Sequence, residues 1–167
     1  MASTYNVINT QTLSSATATV TFASIPSTYT NLVIVANVSG PTSGIESFRM
    51  RYNSDSGTNY STTWMRGDGS SASSGKENSN TALIAGRVGY QSGMMSVNTI
   101  QIANYANTTT YKTMLVRSSA PQSTAGEAWT NVGLWRSTAA ISSIALYLDT
   151  SNMSSGSTFT LYGIKAA

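Results

Sequence analysis

Apolar residues recur at every second position in many short runs of this chain, and this alternation is what most limits its fold. In SFRMRYN, Phe48, Met50 and Tyr52 share one side and the two arginines between them share the other. The runs ATVTFASI and ISSIALYLD repeat the pattern. A period of two is typical of a β-strand that buries one face, whereas an amphipathic helix needs an apolar row every three or four residues. No helical row is sustained, so we predict an all-β chain with no substantial helix.

The breaks between these runs, such as NSDSGTN and SNMSSGS, are rich in Gly, Ser and Asn, the residues that favour turns. About ten short strands at regular spacing indicate an antiparallel β-sandwich or barrel. The chain has 167 residues, the size of one domain, and it contains no visible repeat or linker. We therefore predict a single antiparallel β-sandwich domain over residues 1–167.

Two segments of the domain lack the strand pattern. Residues 1–10 are predicted to form an N-terminal arm, and residues 66–80 a long polar loop. The loop contains the adhesion tripeptide Arg66-Gly67-Asp68, but a Gly turn between polar residues is common, and integrin binding is the less favoured interpretation. Because its Ser70–Ser79 part is low in complexity, we expect its deletion to leave folding intact.

The composition favours a protein that packs against other proteins. Only 9% of the residues are charged, against about 25% in an ordinary soluble domain, and Ser and Thr number 28 and 24. Another protein covers hydroxyls at a lower desolvation cost than it covers charges, since hydroxyls rotate to find partners. A secreted monomeric β-protein with the same bias is the alternative.

Several classes of partner and compartment are disfavoured. The net charge of +3 is small and scattered, so we predict no nucleic-acid partner. No apolar run approaches the roughly 20 residues of a membrane span, and we predict no membrane partner. The N-terminal MASTYNVINTQTLSS has neither a basic start nor an apolar run, so we expect synthesis in the cytoplasm without an export signal.

The chain lacks the usual catalytic residue types. With no His and no Cys, it has neither the commonest general base nor a thiolate nucleophile. Its six carboxylates are scattered, which disfavours a glycosidase pair. The Asn53–Asn59 segment contains several oxygen atoms that calcium could bind, but its sequence is more typical of a tight turn. We therefore predict no enzyme, no catalytic residue, no metal and no cofactor.

The aromatic residues divide into two groups. Trp64, Trp129 and Trp135 alternate with apolar partners, so we predict that they lie in the core rather than stack on sugars. Tyr90, Tyr105 and Tyr111 lie near breaks and are predicted to be exposed.

The last third of the chain carries a resemblance. GLWRSTAAISSIALYL, a turn and then GSTFTLYGIK resemble the C-terminal half of a recurrent virion β-domain of tailed bacteriophages, most clearly at Gly133–Ser137 and Thr160–Ile164. INTQTLSSATATVTFASIPSTYTNLVIVANV and RMRYNSDSGTNYSTTWMRGDGSSASSG are similar to the opening and middle of such domains. The resemblance covers nearly the whole chain.

This resemblance implies a jelly-roll-like fold, a homotrimer and a place in the virion, with the protein made in the host cytoplasm. The implied function is that of a capsid decoration (cement) protein that binds neighbouring major capsid subunits on the outer shell and stabilises it. The alternative is a tail-fibre or other appendage domain that binds a host receptor or glycan. The predicted contact residues lie in the arm, the loop and the exposed tyrosines: Thr4, Tyr5, Asn6, Arg66, Asp68, Lys76, Glu77, Tyr90 and Tyr105.

Overall fold

Twelve antiparallel strands make up the protein in the computed structural model, which describes residues 4–40, 44–89, 94–122 and 125–165. The strands are β1 (Tyr5–Thr12), β2 (Thr19–Phe22), β3 (Asn31–Val38), β4 (Ile45–Tyr52), β5 (Tyr60–Gly67), β6 (Ala72–Asn80), β7 (Leu83–Gly89), β8 (Ser96–Ala103), β9 (Lys112–Pro121), β10 (Gly126–Trp135), β11 (Ile144–Leu148) and β12 (Thr158–Ile164). No helix occurs in these ranges, and so none long or apolar enough to cross a membrane. The all-β prediction is confirmed.

The strands form two sheets. The large sheet has eight strands in the order β1-β12-β3-β8-β9-β10-β5-β6, and the small sheet has four in the order β2-β11-β4-β7. The first strand pairs with the last, β2 with β11, β3 with β8, and β4 with β7. This is one long antiparallel ribbon wrapped into two facing sheets, the arrangement of a double-sheet jelly roll. The predicted jelly-roll-like sandwich is confirmed.

The four remaining strands widen the large sheet. The β9–β10 hairpin lies between β8 and β11 in the chain, and the β5–β6 hairpin lies between β4 and β7. They add the order β9-β10-β5-β6 beside β8, while the small sheet ends at β7. The large sheet is therefore twice as wide as the small sheet that packs on it.

The core lies between the sheets and is lined by alternate residues of both, as the sequence pattern predicts. Phe48 of β4 faces Phe159 of β12 with ring centroids 6.4 Å apart. At one end of the core, the Trp135 ring packs against the rings of Tyr52 and Tyr60, with centroid distances of 5.4 and 6.3 Å. Packed aromatic rings contribute about 1 kcal/mol a pair beyond the area they bury.

Buried polar side chains of the large sheet cover the free edge of β7. Thr62 Oγ1 accepts from Ile84 N at 3.3 Å, and Asn131 Nδ2 donates to Ile84 O at 2.7 Å. Ser118 Oγ accepts from Arg87 N at 2.9 Å. An open strand edge invites pairing with other chains. These side chains close it and explain why polar residues occupy a predominantly apolar interface.

The structure corrects the predicted 66–80 loop. Only four residues, 68–71, connect β5 to β6, and Ala72–Asn80 is a strand paired with β5. Because β6 lies at the edge of the large sheet, beyond the small sheet, it has no core to face. Its sequence ASSGKENSN is therefore polar on both sides, and no alternation signals it.

The predicted arm of residues 1–10 is also wrong over most of its length. Tyr5–Thr12 is strand β1, paired with β12 along a register shifted between Val7 and Asn9. Residues 1–3 lie outside the described ranges. The described residues therefore form twelve strands rather than about ten, because the edge strands β1 and β6 are polar and lack a clear apolar alternation.

Candidate protein-interaction face

One side of the large sheet packs on the core, and the other, which we call the outer face, carries the alternate residues that point away from it. Register places one residue from each of the eight strands in a row across the outer face. The row is Val7, Tyr162, Val33, Gln101, Leu115, Val132, Thr63 and Lys76. Half of these side chains are aliphatic, on a surface that no second sheet of the described residues covers.

Large apolar side chains are exposed along this face. Val7, Met65 and Val132 are 60%, 57% and 54% exposed, and Leu115 and Val97 are 44% and 43% exposed. Single exposed apolar residues are normal, but a contiguous apolar patch marks an interaction site. Leu115 and Val132 are directly paired across β9 and β10, so the patch is contiguous at its centre.

Two grooves indent the outer face. One of about 510 Å³ crosses β12, β3, β8, β9 and β10, and its lining includes Val33, Leu115 and Val132. The other, of about 680 Å³, lies over the β5–β6 hairpin and the neighbouring parts of β9 and β10, and includes Met65 and Arg117. Both give a partner's side chains a place to insert.

The polar residues of the face are almost all uncharged. Hydroxyls lie between the aliphatic side chains, as at Thr63, Thr99, Thr113, Ser119 and Thr130. Among the outward-pointing residues of the eight strands, only Arg117 and Lys76 carry a charge. A partner therefore meets aliphatic groups and hydroxyls, which cost less to desolvate than charged groups do.

The predicted contact residues do not converge on one place. Tyr5 lies on the outer face beside Tyr162, with ring centroids 6.3 Å apart, and Thr4 precedes it. Asn6 points to the opposite side of β1. Lys76 is on the outer face but on β6, at the far edge of the sheet, with six strands between it and β1. Tyr90 lies outside the described residues.

The remaining predicted contacts on the β5–β6 hairpin are held by the protein itself. Arg66 Nη1 lies 2.8 Å from Glu127 Oε1. Glu77, on the side of β6 opposite Lys76, accepts from Arg49 Nη1 at 2.7 Å. The Asp68 carboxylate accepts from the backbone N–H and hydroxyl of both Ser70 and Ser71. These bonds lower the pKa of Asp68 well below its ordinary value. Both charged groups of the Arg66-Gly67-Asp68 tripeptide thus have partners within the protein, Arg66 on β10 and Asp68 in the turn of the hairpin.

Tyr105 is not exposed, contrary to the prediction. It is fully buried, and its hydroxyl donates to Pro26 O and accepts from Tyr29 N. The break after β8 folds back over the end of the core and turns the ring inward. Tyr111 is 55% exposed, as predicted.

The tryptophan prediction holds for Trp129 and Trp135, which are buried. Trp64 is half-buried and stacks on Trp129 with ring centroids 4.5 Å apart. This pair lies where the large sheet extends past β7, and Arg87 lies 5.2 Å above the Trp129 ring.

The carboxylates are tied into the fold. Glu46 accepts hydrogen bonds from the hydroxyls of Thr150 and Ser151. Glu77 and Asp149 both pair with Arg49. Glu127 pairs with Arg66. Asp55 accepts from Trp135 Nε1 at 2.7 Å, Asn59 Nδ2 at 3.0 Å and Gly57 N at 2.8 Å, which is the tight turn predicted for Asn53–Asn59. Within the described residues, no group of three acidic side chains is placed to hold a metal ion.

Sequence reasoning missed Leu115, Val132, Val97, Met65 and Arg117 as contact candidates. The alternation in EAWTNVGLW places Val132 on the opposite side of its strand from Trp129, and apolar residues on both sides of a strand indicate that both sides are buried. Comparison with known proteins gives no further guide to the partner: no protein-family model matches the chain, and no curated protein matches it significantly.

Proposed function

We propose that this protein is a structural component of a tailed-bacteriophage virion, a capsid decoration protein that binds across neighbouring major capsid subunits and stabilises the shell. The observation that carries the proposal is the uncovered, charge-poor outer face. The resemblance supports it as well, since its two clearest segments overlap β10 and β12, which both belong to the large sheet.

The outer face has the size of a specific interface. With strands about 4.8 Å apart and about 3.4 Å of rise per residue, eight strands span roughly 34 Å by 24 Å, or about 800 Å². A standard protein–protein interface buries about 800 Å² on each partner. One complete face can therefore support a stable complex without help from the loops.

The stabilising mechanism is preferential binding to the assembled state. A protein that contacts two capsid subunits at once binds the joined pair more tightly than either subunit alone, and so raises the free energy of shell dissociation. In a homotrimer, which we include in the proposal, three outer faces held together would act with a high effective concentration and multiply weak individual contacts.

The experiment uses shells of the phage that encodes the chain, stripped of this protein. Purified wild-type protein is expected to rebind and to restore their resistance to heat, whereas Val132→Asp is expected to rebind at least tenfold more weakly. Thr19→Asp, on the exposed side of β2 in the small sheet, is the matched control and should rebind normally. Equal binding by both variants, or no binding by the wild type, contradicts the proposal. Binding of the wild type to host cells instead would support the appendage alternative.

A further inference from the structure

The charged side chains of the protein separate into two groups. The chain has nine Lys and Arg residues and six Asp and Glu residues, all of them in the described ranges. Every carboxylate has an intramolecular partner, as described above. Three arginines, Arg49, Arg66 and Arg87, lie within 4 Å of a carboxylate.

Four more cations are engaged without a carboxylate. Arg51 donates to Thr81 O, and Arg136 donates to Ser61 Oγ and Thr58 O. Lys112 is buried and donates to two carbonyls, and Lys165 lies 5.8 Å above the Tyr29 ring. Seven of the nine cations are thus occupied by the fold.

The remaining two are Arg117 and Lys76. Neither side chain has a hydrogen bond, ion pair or ring contact with any described residue, and both point outward from the large sheet. In a chain that otherwise pairs its few charges internally, the unpaired charges coincide with the outer face.

The sign of these charges limits what the face can bind. A second copy docked face to face would bring four cations together and no carboxylate, which disfavours self-association through this surface. Two cations are also too few for a nucleic acid, whose binding neutralises several phosphates. A protein surface that carries carboxylates fits both observations.

We propose that the partner surface presents carboxylates opposite Arg117 and Lys76, on either side of an apolar strip formed by Val132 and Met65. Three strand spacings and one two-residue step separate the two cations along the sheet, about 16 Å. Arg117, with Thr99 and Thr130 beside it in its row, takes a carboxylate in a two-pronged hydrogen bond, and Lys76 takes a single charge. This inference rests on the proposed function, because the partner is the virion shell.

The first test is charge reversal, measured on the stripped shells. Arg117→Glu is expected to weaken binding at least tenfold and Lys76→Glu about threefold, while Thr19→Glu on the small sheet leaves it unchanged. Wild-type binding should weaken as salt is raised from 50 to 500 mM, and Arg117→Glu should show a smaller salt dependence. Thermal unfolding of each variant, compared with that of Arg117→Gln, shows whether the fold is intact.

The second test identifies the partner carboxylate. A water-soluble carbodiimide activates a capsid carboxyl group, the Lys76 amine attacks it, and an amide forms as the carbodiimide leaves as a urea. Mass spectrometry should find Lys76 joined to a capsid Asp or Glu, and Arg117→Lys should give a second joined pair. Shells that bind the wild type but show neither the joined peptides nor sensitivity to either reversal overturn this inference and leave the proposed function standing. Failure of the wild type to bind overturns both.

Discussion

Arg66 Nη1 lies 2.8 Å from Glu127 Oε1, so the arginine of the adhesion-like tripeptide is paired across β5 and β10 instead of being presented to a receptor. Glu127 is only 7% exposed, and its other oxygen has no hydrogen-bond partner among the described residues, with Arg87 Nε 3.6 Å away. Arg66 is therefore the principal partner of a buried carboxylate.

Replacing Arg66 should destabilise the protein because it leaves that buried carboxylate under-paired. We expect Arg66→Gln to lower the free energy of unfolding by about 1–3 kcal/mol, measured by urea denaturation. Arg117→Gln, which removes an unpaired surface arginine, should change it by less than about 0.5 kcal/mol. The double variant Arg66→Gln, Glu127→Gln should recover part of the loss. Equal changes in unfolding free energy for Arg66→Gln and Arg117→Gln would show that the Arg66–Glu127 ion pair does not stabilise the protein.

Acid should weaken the turn around Asp55. Burial alone raises the pKa of Asp55, but hydrogen bonds from Trp135, Asn59 and Gly57 outweigh it and hold the pKa below its ordinary value of 3.8. A lowered folded-state pKa contributes stability that is complete above 3.8 and is lost as pH falls through the folded value. Asp55→Asn should therefore be less stable than the wild type at pH 7, by a margin that shrinks below pH 3.8. The difference in urea midpoint between the wild type and Asp55→Asn, measured from about pH 7 to about pH 2.5, gives this margin. A margin that stays constant with pH would contradict the lowered pKa of Asp55.

Gly133 is required where β10 passes β7. A Cβ built on Gly133 would lie 2.5 Å from Met114 Cε and 2.8 Å from Leu83 Cδ2. We expect Gly133→Ala to destabilise the protein by about 1–2 kcal/mol, because the side chains of two strands must shift. Gly67→Ala is the matched control: its Cβ would meet only Ser71 O, at 4.0 Å, so stability should hold or rise slightly. Thermal unfolding that ranks the two variants in the opposite order would refute the packing argument.

Deleting Ser70–Ser79 should damage the fold, in contrast to what the sequence alone suggests. The deletion removes most of β6, takes Glu77 from Arg49, and strips the strand that carries Gly75 against the Trp64 ring. We expect a loss of about 2 kcal/mol or more in unfolding free energy, together with aggregation through the exposed edge of β5. Ser70→Ala, which changes only the turn, should cost less than about 0.5 kcal/mol. A deletion variant that melts at the wild-type temperature would show that β6 is dispensable.

Strands with one buried face were predictable from the sequence, because the sandwich core imposes a period of two on segments such as SFRMRYN. Strand β6 was not predictable in this way, since it forms by pairing with β5 and not by burying one face. Tyr105 shows the opposite error: a residue in a break turns inward when the break folds over the end of the core.

The order of strands in the sheets could not be read from the chain alone, because pairing between distant segments such as β1 and β12 leaves no local signal. The same applies to the outer face. Leu115 and Val132 are 17 positions apart in the chain, and only the β9–β10 register places them side by side. Their exposure follows from their position on the side of the large sheet that faces away from the small sheet.

The most direct test of the proposed function is a density map of the virion to which the proposal assigns this protein, at a resolution that shows strands. We predict density for the protein on the outer surface of the shell, with the outer face of β8, β9 and β10 against major capsid subunits and the small sheet turned to solvent. Density at the tail instead, or a shell-bound protein whose Leu115 and Val132 face solvent, would contradict the account.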